Sequence, residues 1–232
     1  MLQLQKASFK HADGSMEISG SLTNGPGINP VSLRTRMSNM NIPLLFKAFD
    51  NFGQDAITHE NLKGTLSADI DLTSAVTDKA KMVATSSKGT IEFLLENGEL
   101  NHFEPLLRVG EKVFKKQNFD EIRFADLKNK LDVTGTTFIV NPMEIRSTAM
   151  TLFIEGVYDV KKGSDMSIQV PLKNLTKSQA NTDLNTDIKK KKGVSLRLRA
   201  KTGDDGKLKL TWDPFRRSIR NKEDVKDSTR QD

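Results

Sequence analysis

The sequence predicts a mainly β protein: an elongated, twisted, mostly antiparallel sheet, curved like a groove, with two short amphipathic helices. Apolar residues alternate with polar ones in one segment after another, and Gly, Asn, Asp and Pro residues separate these segments, as in a series of strands and turns. Hydrophobic residues make up 36% and aromatic residues 6% of the 232 residues, so the core is thin for the length. In two further stretches apolar residues recur every three to four residues, which favours amphipathic helices.

The first strands are predicted from alternation in residues 2–10, 16–22 and 31–37. Turn residues separate them, first Ala12-Asp13-Gly14 and then residues 24–27, so consecutive strands should pair as antiparallel hairpins. Residues 61–72 alternate strictly and predict a further strand. Residues 73–81 are polar and predict a loop or a short helical turn.

The two helices are predicted at Ile42–Phe52 and Phe103–Phe114. Asn41 is a suitable N-cap for the first helix, with Pro43 in its first turn and Gly53 at its end. The second helix is expected to follow a strand that begins at Ser87 and a turn at Asn97-Gly98.

The later strands are predicted between residues 122 and 212, with a break at Asn141-Pro142 and the clearest alternation over residues 150–160. Residues 1–213 are predicted to form one β domain with a weak duplication, its units covering about 1–60 and 61–175. Within that domain, residues 174–192 are predicted to be a mobile loop and residues 193–212 a closing hairpin around Gly203–Gly206. Residues 214–232 are predicted to be a disordered, basic tail.

The positive charge belongs mainly to the C-terminal part of the chain. The formal net charge is +6, but residues 189–232 contain 15 basic and 7 acidic side chains, which leaves residues 1–188 slightly acidic. Such charge runs are usually solvated, and the basic part contains few aromatic residues that could stack on bases. The sequence therefore predicts no nucleic-acid partner.

The polar residues do not suggest an enzyme, and we predict no catalytic residue, metal site or cofactor. His11, His59 and His102 lie beside turns and lack the spacing that would place two metal ligands on one helical face. Asp69 and Asp71 are two residues apart on a strand, which places both on its outer face and indicates a solvated surface.

The apolar faces of the strands are the best candidates for a function. A curved sheet whose apolar face is not fully filled could bind acyl chains, which need length and apolarity and few polar anchors. A normally packed β core explains the same alternation equally well. The candidate lipid-binding residues are Ile91, Phe93, Leu95, Leu152, Ile154, Ile168 and Val170. The side chains expected to plug or cover the groove from the helices are Leu44, Leu45, Phe49, Phe103, Leu106 and Leu107.

Four segments resemble the C-terminal region of the AsmA family in its Bacteroidota form. They are NIPLLFKAFDNFG from residue 41, NLKGTLSADIDL from residue 61, GTIEFLLENGELNHFEPL from residue 89 and MEIRSTAMTLFIEGVYDV from residue 143. The resemblance covers about residues 2–212, and the NG-x-L-x-x-F-x-P-L unit from Asn97 to Leu106 is its most specific part.

The resemblance implies a non-enzymatic protein of the bacterial cell envelope that binds or conducts phospholipid and supports outer-membrane biogenesis. Proteins of this family project into the periplasm from an N-terminal inner-membrane helix, which this chain lacks along with most of the family's N-terminal groove. The alternative function is a structural or interaction module whose sheet edges dock envelope proteins by strand addition. The sequence contains no signal peptide and no apolar run long enough to span a membrane, so the expected periplasmic location and membrane anchor come from the resemblance alone.

Overall fold

In the computed structural model, residues 1–53, 57–104, 106–107, 118–172 and 194–214 are described. These residues form one long, open, curved antiparallel sheet with one α-helix and short 3₁₀ turns, which confirms the predicted mainly β fold. The described strands are β1 Leu2–His11, β2 Gly14–Leu22, β3 Ile28–Asn41, β4 Leu62–Thr77, β5 Lys88–Asn101, β6 Glu121–Phe124, β7 Leu127–Thr134, β8 Thr137–Arg146, β9 Thr151–Asp159, β10 Gly163–Pro171, β11 Ser195–Thr202 and β12 Leu208–Trp212. The helix is α1, Ile42–Ala48, and the 3₁₀ turns are Asp50–Gly53 and Ala84–Ser86.

The sheet is a meander in which strands follow one another in space as they do in the sequence. Its order is β1-β2-β3-β4-β5-β7-β8-β9-β10-β11-β12. The short strand β6 lies outside this order and pairs with the C-terminal end of β5. Every pairing between these strands is antiparallel, as the hairpin signals predicted. Each strand thus pairs with at least one strand that is adjacent to it in sequence.

The predicted turn at Asn97-Gly98 is wrong, because β5 continues through both residues. Asn97 adopts a left-handed φ of 52°, and the register of β4 and β5 shifts there, so that Asn97 and Gly98 lie opposite Gly64. An Asn-Gly pair tolerates positive φ, which serves a β-bulge as well as a hairpin turn. A Cβ atom at Gly98 would overlap the ring of Phe124, so glycine leaves room for this ring in its present position.

Two further predicted interruptions are also parts of strands. The predicted loop at residues 73–81 is instead largely strand, since β4 reaches Thr77 and pairs with the start of β3. The polar residue Ser74 is buried there, and its Oγ lies 2.9 Å from the Oγ of Ser87. At Asn141-Pro142 the strand β8 continues across a register shift, where an exposed proline needs no ladder hydrogen bond.

Helix α1 begins where the sequence predicts, since the Asn41 Oδ1 accepts a hydrogen bond from the Leu44 backbone N–H at 3.2 Å. It ends at Ala48, earlier than the predicted Phe52, because residues 50–52 have left-handed φ angles of 48°, 49° and 57°. The Phe52 ring then stacks on Phe49, with 5.4 Å between the ring centroids. The helix therefore covers a smaller part of the sheet than its sequence suggests.

Of the predicted second helix, Glu104, Leu106 and Leu107 are helical, while residues 105 and 108–114 lie outside the described residues. The predicted loop 174–192 and residues 215–232 of the predicted tail also lie outside them. The closing hairpin is present as β11 and β12, with a turn at residues 203–206. No helix among the described residues is long and apolar enough to cross a membrane.

Candidate functional site

All seven candidate lipid-binding residues lie on one face of the sheet. Residues paired directly across antiparallel strands share a face, so the face can be followed from strand to strand. Ile91 pairs with Ile70 on one side and Leu131 on the other, and Leu131 pairs with Val140 of β8. The row that contains Ile154 and Ile168 continues the face to the other edge of the sheet through these pairs: Met143–Ile154, Ile154–Ile168, Ile168–Leu198 and Leu198–Trp212. We call this surface the apolar face.

The candidate residues differ in how far they are buried. Leu95, Ile168 and Val170 are buried, with 1% of Val170 exposed, whereas Ile91, Phe93, Leu152 and Ile154 are only half-buried. The buried residues belong to clusters at the ends of the strands that lie nearest α1 and Phe103. Of the half-buried residues, Phe93, Leu152 and Ile154 pack at the margins of these clusters, and Ile91 lies farther along β5.

Helix α1 covers one part of the apolar face. Leu45 is 1% exposed and packs in a cluster with Met37, Met40 and Ala68. Leu44 and Phe49 were predicted to share this role, but they are 42% and 49% exposed. Successive helical positions point about 100° apart, so Leu44 lies away from the sheet when its neighbour Leu45 faces it.

The segment around Phe103 covers a second part of the apolar face. Phe103 is 8% exposed, and Leu106 and Leu107 pack against the cluster that contains Val170 and Leu196. Phe119 and Ile122 complete this cluster, so the chain on either side of residues 108–117 contributes to it. The sequence reasoning had missed Phe119, which is 6% exposed, because no periodic pattern surrounds it.

Farther along the strands from these two covers, the apolar face carries side chains with no second sheet above them among the described residues, whose strands form a single sheet. Ile70, Ile91, Leu131 and Val140 form a half-buried row across four strands. Toward the other ends of the strands the face continues through half-buried Phe138 and Tyr158, whose ring centroids are 6.1 Å apart. Among the described residues, we take this row as the candidate ligand-binding part of the apolar face.

The opposite face is charged, and we call it the polar face. On β3 and β4, the Arg34 Nε donates to Asp71 Oδ2 at 2.9 Å and the Arg36 Nε donates to Asp69 Oδ1 at 2.8 Å. The hydrogen bond from Arg36 to Asp69 raises the pKa of the guanidinium. The two predicted surface carboxylates therefore have arginine partners, which the R-x-R and D-x-D spacings could have revealed once the β3–β4 register was known.

A hollow of about 520 Å³ lies on this polar face, over β1 to β5. Its charged lining residues are Lys6, Glu17, Arg34, Arg36, Asp69, Asp71 and Glu92. Arg34, Arg36 and their aspartate partners are more than half exposed, so solvent screens these ion pairs. Because positive and negative groups alternate, the hollow has no strong preference for an anion or a cation.

Two of the three histidines each lie beside one polar side chain. His102 Nδ1 lies 3.2 Å from Asp120 Oδ1, and both side chains are mostly exposed. His59 lies beside Asn51, 3.4 Å from Nδ1 to Oδ1. Among the described residues, no cluster of three or more His, Asp or Glu side chains could hold a metal ion.

The described part of the chain is thus an open, single-sheet meander with one apolar and one charged face. In comparisons with known proteins, no family model, no curated protein and no solved structure matches this chain. The AsmA resemblance therefore depends on the quoted segments alone.

Proposed function

We propose that this chain is a non-enzymatic lipid-handling protein that binds phospholipid acyl chains on its apolar face. The observation that supports this proposal is the row of half-buried residues from Ile70 to Val140, which no second sheet covers in the described part of the chain. An apolar surface exposed across several strands is unfavourable in water and is stabilised by an apolar ligand. Acyl chains fit this row because it offers apolar contact over a long path and few polar anchors.

The AsmA resemblance supports a cellular setting for this proposal. We infer that the protein acts on the periplasmic side of the cell envelope and supports outer-membrane biogenesis. In this setting a longer form of the protein is held to the inner membrane by an N-terminal anchor.

Native mass spectrometry with lipid extraction tests the central proposal, and site-specific photo-crosslinking locates the lipid. Ile91 and Glu92 are neighbours in β5 that lie on opposite faces, so they make a matched pair of positions for a photoreactive amino acid. We expect retained phospholipid and a lipid crosslink from position 91 but not from position 92. A folded, lipid-free protein that crosslinks lipid from neither position would contradict the proposal.

The substitution Ile154→Asp gives a second test, because it places a charge on the apolar face. It should abolish lipid co-purification, whereas Glu155→Ala on the opposite face should leave it unchanged. If Ile154 were ordinary packed core, the buried charge would unfold the protein instead. Circular dichroism and urea unfolding of both variants distinguish a folded protein that has lost its lipid from an unfolded protein.

An interaction module is the second candidate function, and the exposed edge of the sheet favours it. Leu2, Leu4 and Phe9 of β1 are 61%, 47% and 45% exposed, on a strand that pairs only with β2 among the described residues. Such an edge can accept a strand from a partner. A stable protein complex together with a lipid-free interior would favour this function over lipid binding.

A further inference from the structure

Strand β1 has an irregularity that determines which partner could continue the sheet. Leu4 pairs with Gly20 and Ala7 pairs with Ile18, so Gln5 and Lys6 together lie opposite the single residue Ser19. This is a β-bulge, and it bends the outer edge that any further strand must match. A regular strand would lose its hydrogen-bonding register at the bulge.

The bulge keeps the apolar residues of β1 in phase with one another. Leu2, Leu4, Ala7 and Phe9 pair in turn with Leu22, Gly20, Ile18 and Met16 of β2. These partners are two residues apart along a regular strand, so the side chains of all four β1 residues lie on one face of the sheet. The backbone N–H and C=O groups of the four residues also point to the same side of the strand, which we call the same phase. Residues of the same phase can pair with each other across an antiparallel interface.

We propose that β1 pairs with the β1 strand of a second copy of this chain, antiparallel, about a two-fold axis between Gln5 and Lys6. Leu2 then lies opposite Phe9 of the second copy, and Leu4 lies opposite its Ala7. Gln3 lies opposite Ser8 on the polar face. The two bulges meet at the axis, so neither copy presents a bulge to a regular stretch of strand.

The charges beside the axis are compatible with this partner. Each Lys6 lies opposite a Gln5, so no like charges face each other directly at the axis. Lys6 is also paired within its own copy, since its Nζ lies 2.5 Å from Glu17 Oε1. The pairing joins the apolar faces of the two copies and covers part of the exposed surface of Leu2, Leu4 and Phe9.

This inference does not depend on lipid binding, because it concerns the backbone edge and not the row of half-buried residues on the apolar face. Sedimentation equilibrium of the full chain, with any purification tag at the C-terminus, measures the association. We expect a reversible dimer in the micromolar range, since one strand-to-strand contact is at the small end of specific interfaces. A chain that remains monomeric at about 100 μM would overturn the proposal.

Two lysine substitutions show which edge of the sheet associates. Leu4→Lys should raise the dimer dissociation constant at least about tenfold, because the two-fold axis removes the same apolar pair twice. Trp212→Lys is the matched control on the other edge of the sheet, where Trp212 is 64% exposed on the apolar face. Equal weakening by both variants would indicate head-to-tail association of β1 with β12 and would overturn the two-fold arrangement.

Disulfide crosslinking tests the register, since the chain contains no cysteine of its own. In the proposed dimer a Leu4→Cys, Ala7→Cys variant brings two pairs of thiols directly opposite each other. Residues 4 and 7 of one strand are about 10 Å apart, too far for a disulfide within a copy. We expect a crosslinked dimer from this variant and none from Gln3→Cys, Ala7→Cys, whose thiols lie on opposite faces; the reverse pattern would refute the register.

Discussion

The carboxylate of Asp159 joins two turns of the sheet. It accepts hydrogen bonds from the Thr136 Oγ1 at 2.7 Å and the Thr137 Oγ1 at 2.8 Å, at the β7–β8 turn. It also accepts the backbone N–H groups of Lys161 and Lys162, at 2.9 and 3.0 Å, in the β9–β10 turn. These hydrogen bonds, those from Thr136 and Thr137 first, hold the pKa of Asp159 far below its ordinary value.

The low pKa of Asp159 predicts how stability depends on pH. The ionised carboxylate is favoured in the folded chain, so its contribution is fully present above the unfolded pKa of about 3.9. It is lost as the pH falls from about 5 toward the lower pKa of the folded state. Asp159→Asn should lower the free energy of unfolding at pH 7 by about 1–3 kcal/mol, because the amide turns a donor toward groups that need an acceptor.

Urea unfolding at pH 7 and pH 3 measures this effect. The difference in the free energy of unfolding between Asp159→Asn and the parent chain should be smaller at pH 3, because the ionised carboxylate contributes less stability below its unfolded pKa. Asp78→Asn is a suitable control, since Asp78 is exposed in the turn after β4. A pH-independent difference would show that the charge of Asp159 does not stabilise the two turns.

Among whole elements, α1 is the clearest case of one side chain holding a segment on the sheet. Leu45 is 1% exposed among Met37, Met40 and Ala68, while the adjacent Leu44 is 42% exposed. The two leucines therefore differ in environment but not in chemistry. They form a matched pair for testing whether α1 covers the apolar face.

Leu45→Ala should reduce the free energy of unfolding by about 2–5 kcal/mol, since it opens a cavity beneath the helix. Leu44→Ala should change it by less than about 0.5 kcal/mol, because it removes little buried surface. Equilibrium unfolding in urea compares the two variants. Equal losses would mean that α1 does not rest on the sheet through Leu45.

For the whole molecule, a single open meander predicts a gradient of local stability. Strands such as β4 and β5 have hydrogen-bonded neighbours on both sides, whereas β1 and β12 are the edges of the described sheet. Amide hydrogen exchange in dilute solution should be slowest in β4 and β5 and fastest in β1 and β12. Raising the protein concentration should slow exchange in β1 alone if β1 forms the proposed dimer contact.

Peptide-resolved exchange measured by mass spectrometry provides this comparison. Strand β12 is the internal control, because the two-fold arrangement leaves it unpaired. Uniform exchange across all strands would indicate that the sheet opens as one cooperative unit. Protection of β12 that rises with concentration would point to the other edge as the contact.

Most strands could be predicted from the sequence because each has one face toward solvent and one apolar face, which leaves a period-two pattern. The clearest examples are residues 62–72, which lie in β4, and residues 150–160, of which 151–159 form β9. Two of the errors fall at Asn97-Gly98 and Asn141-Pro142, where residues typical of turns occupy shifts of register. Local sequence cannot distinguish a bulge from a turn, because the neighbouring strand decides whether the chain reverses.

The sequence by itself determined the composition of the two faces, since alternation assigns Ile91, Phe93 and Leu95 to one side and Glu92 to the other. It also determined the antiparallel hairpins and the start of α1 at Asn41. Only the tertiary structure decided which apolar residues are buried, because burial depends on where α1 and the Phe103 segment rest on the sheet. Likewise only the register of β3 and β4 paired Arg34 and Arg36 with Asp71 and Asp69, since these residues are more than 30 positions apart in the sequence and become neighbours only when the two strands pair.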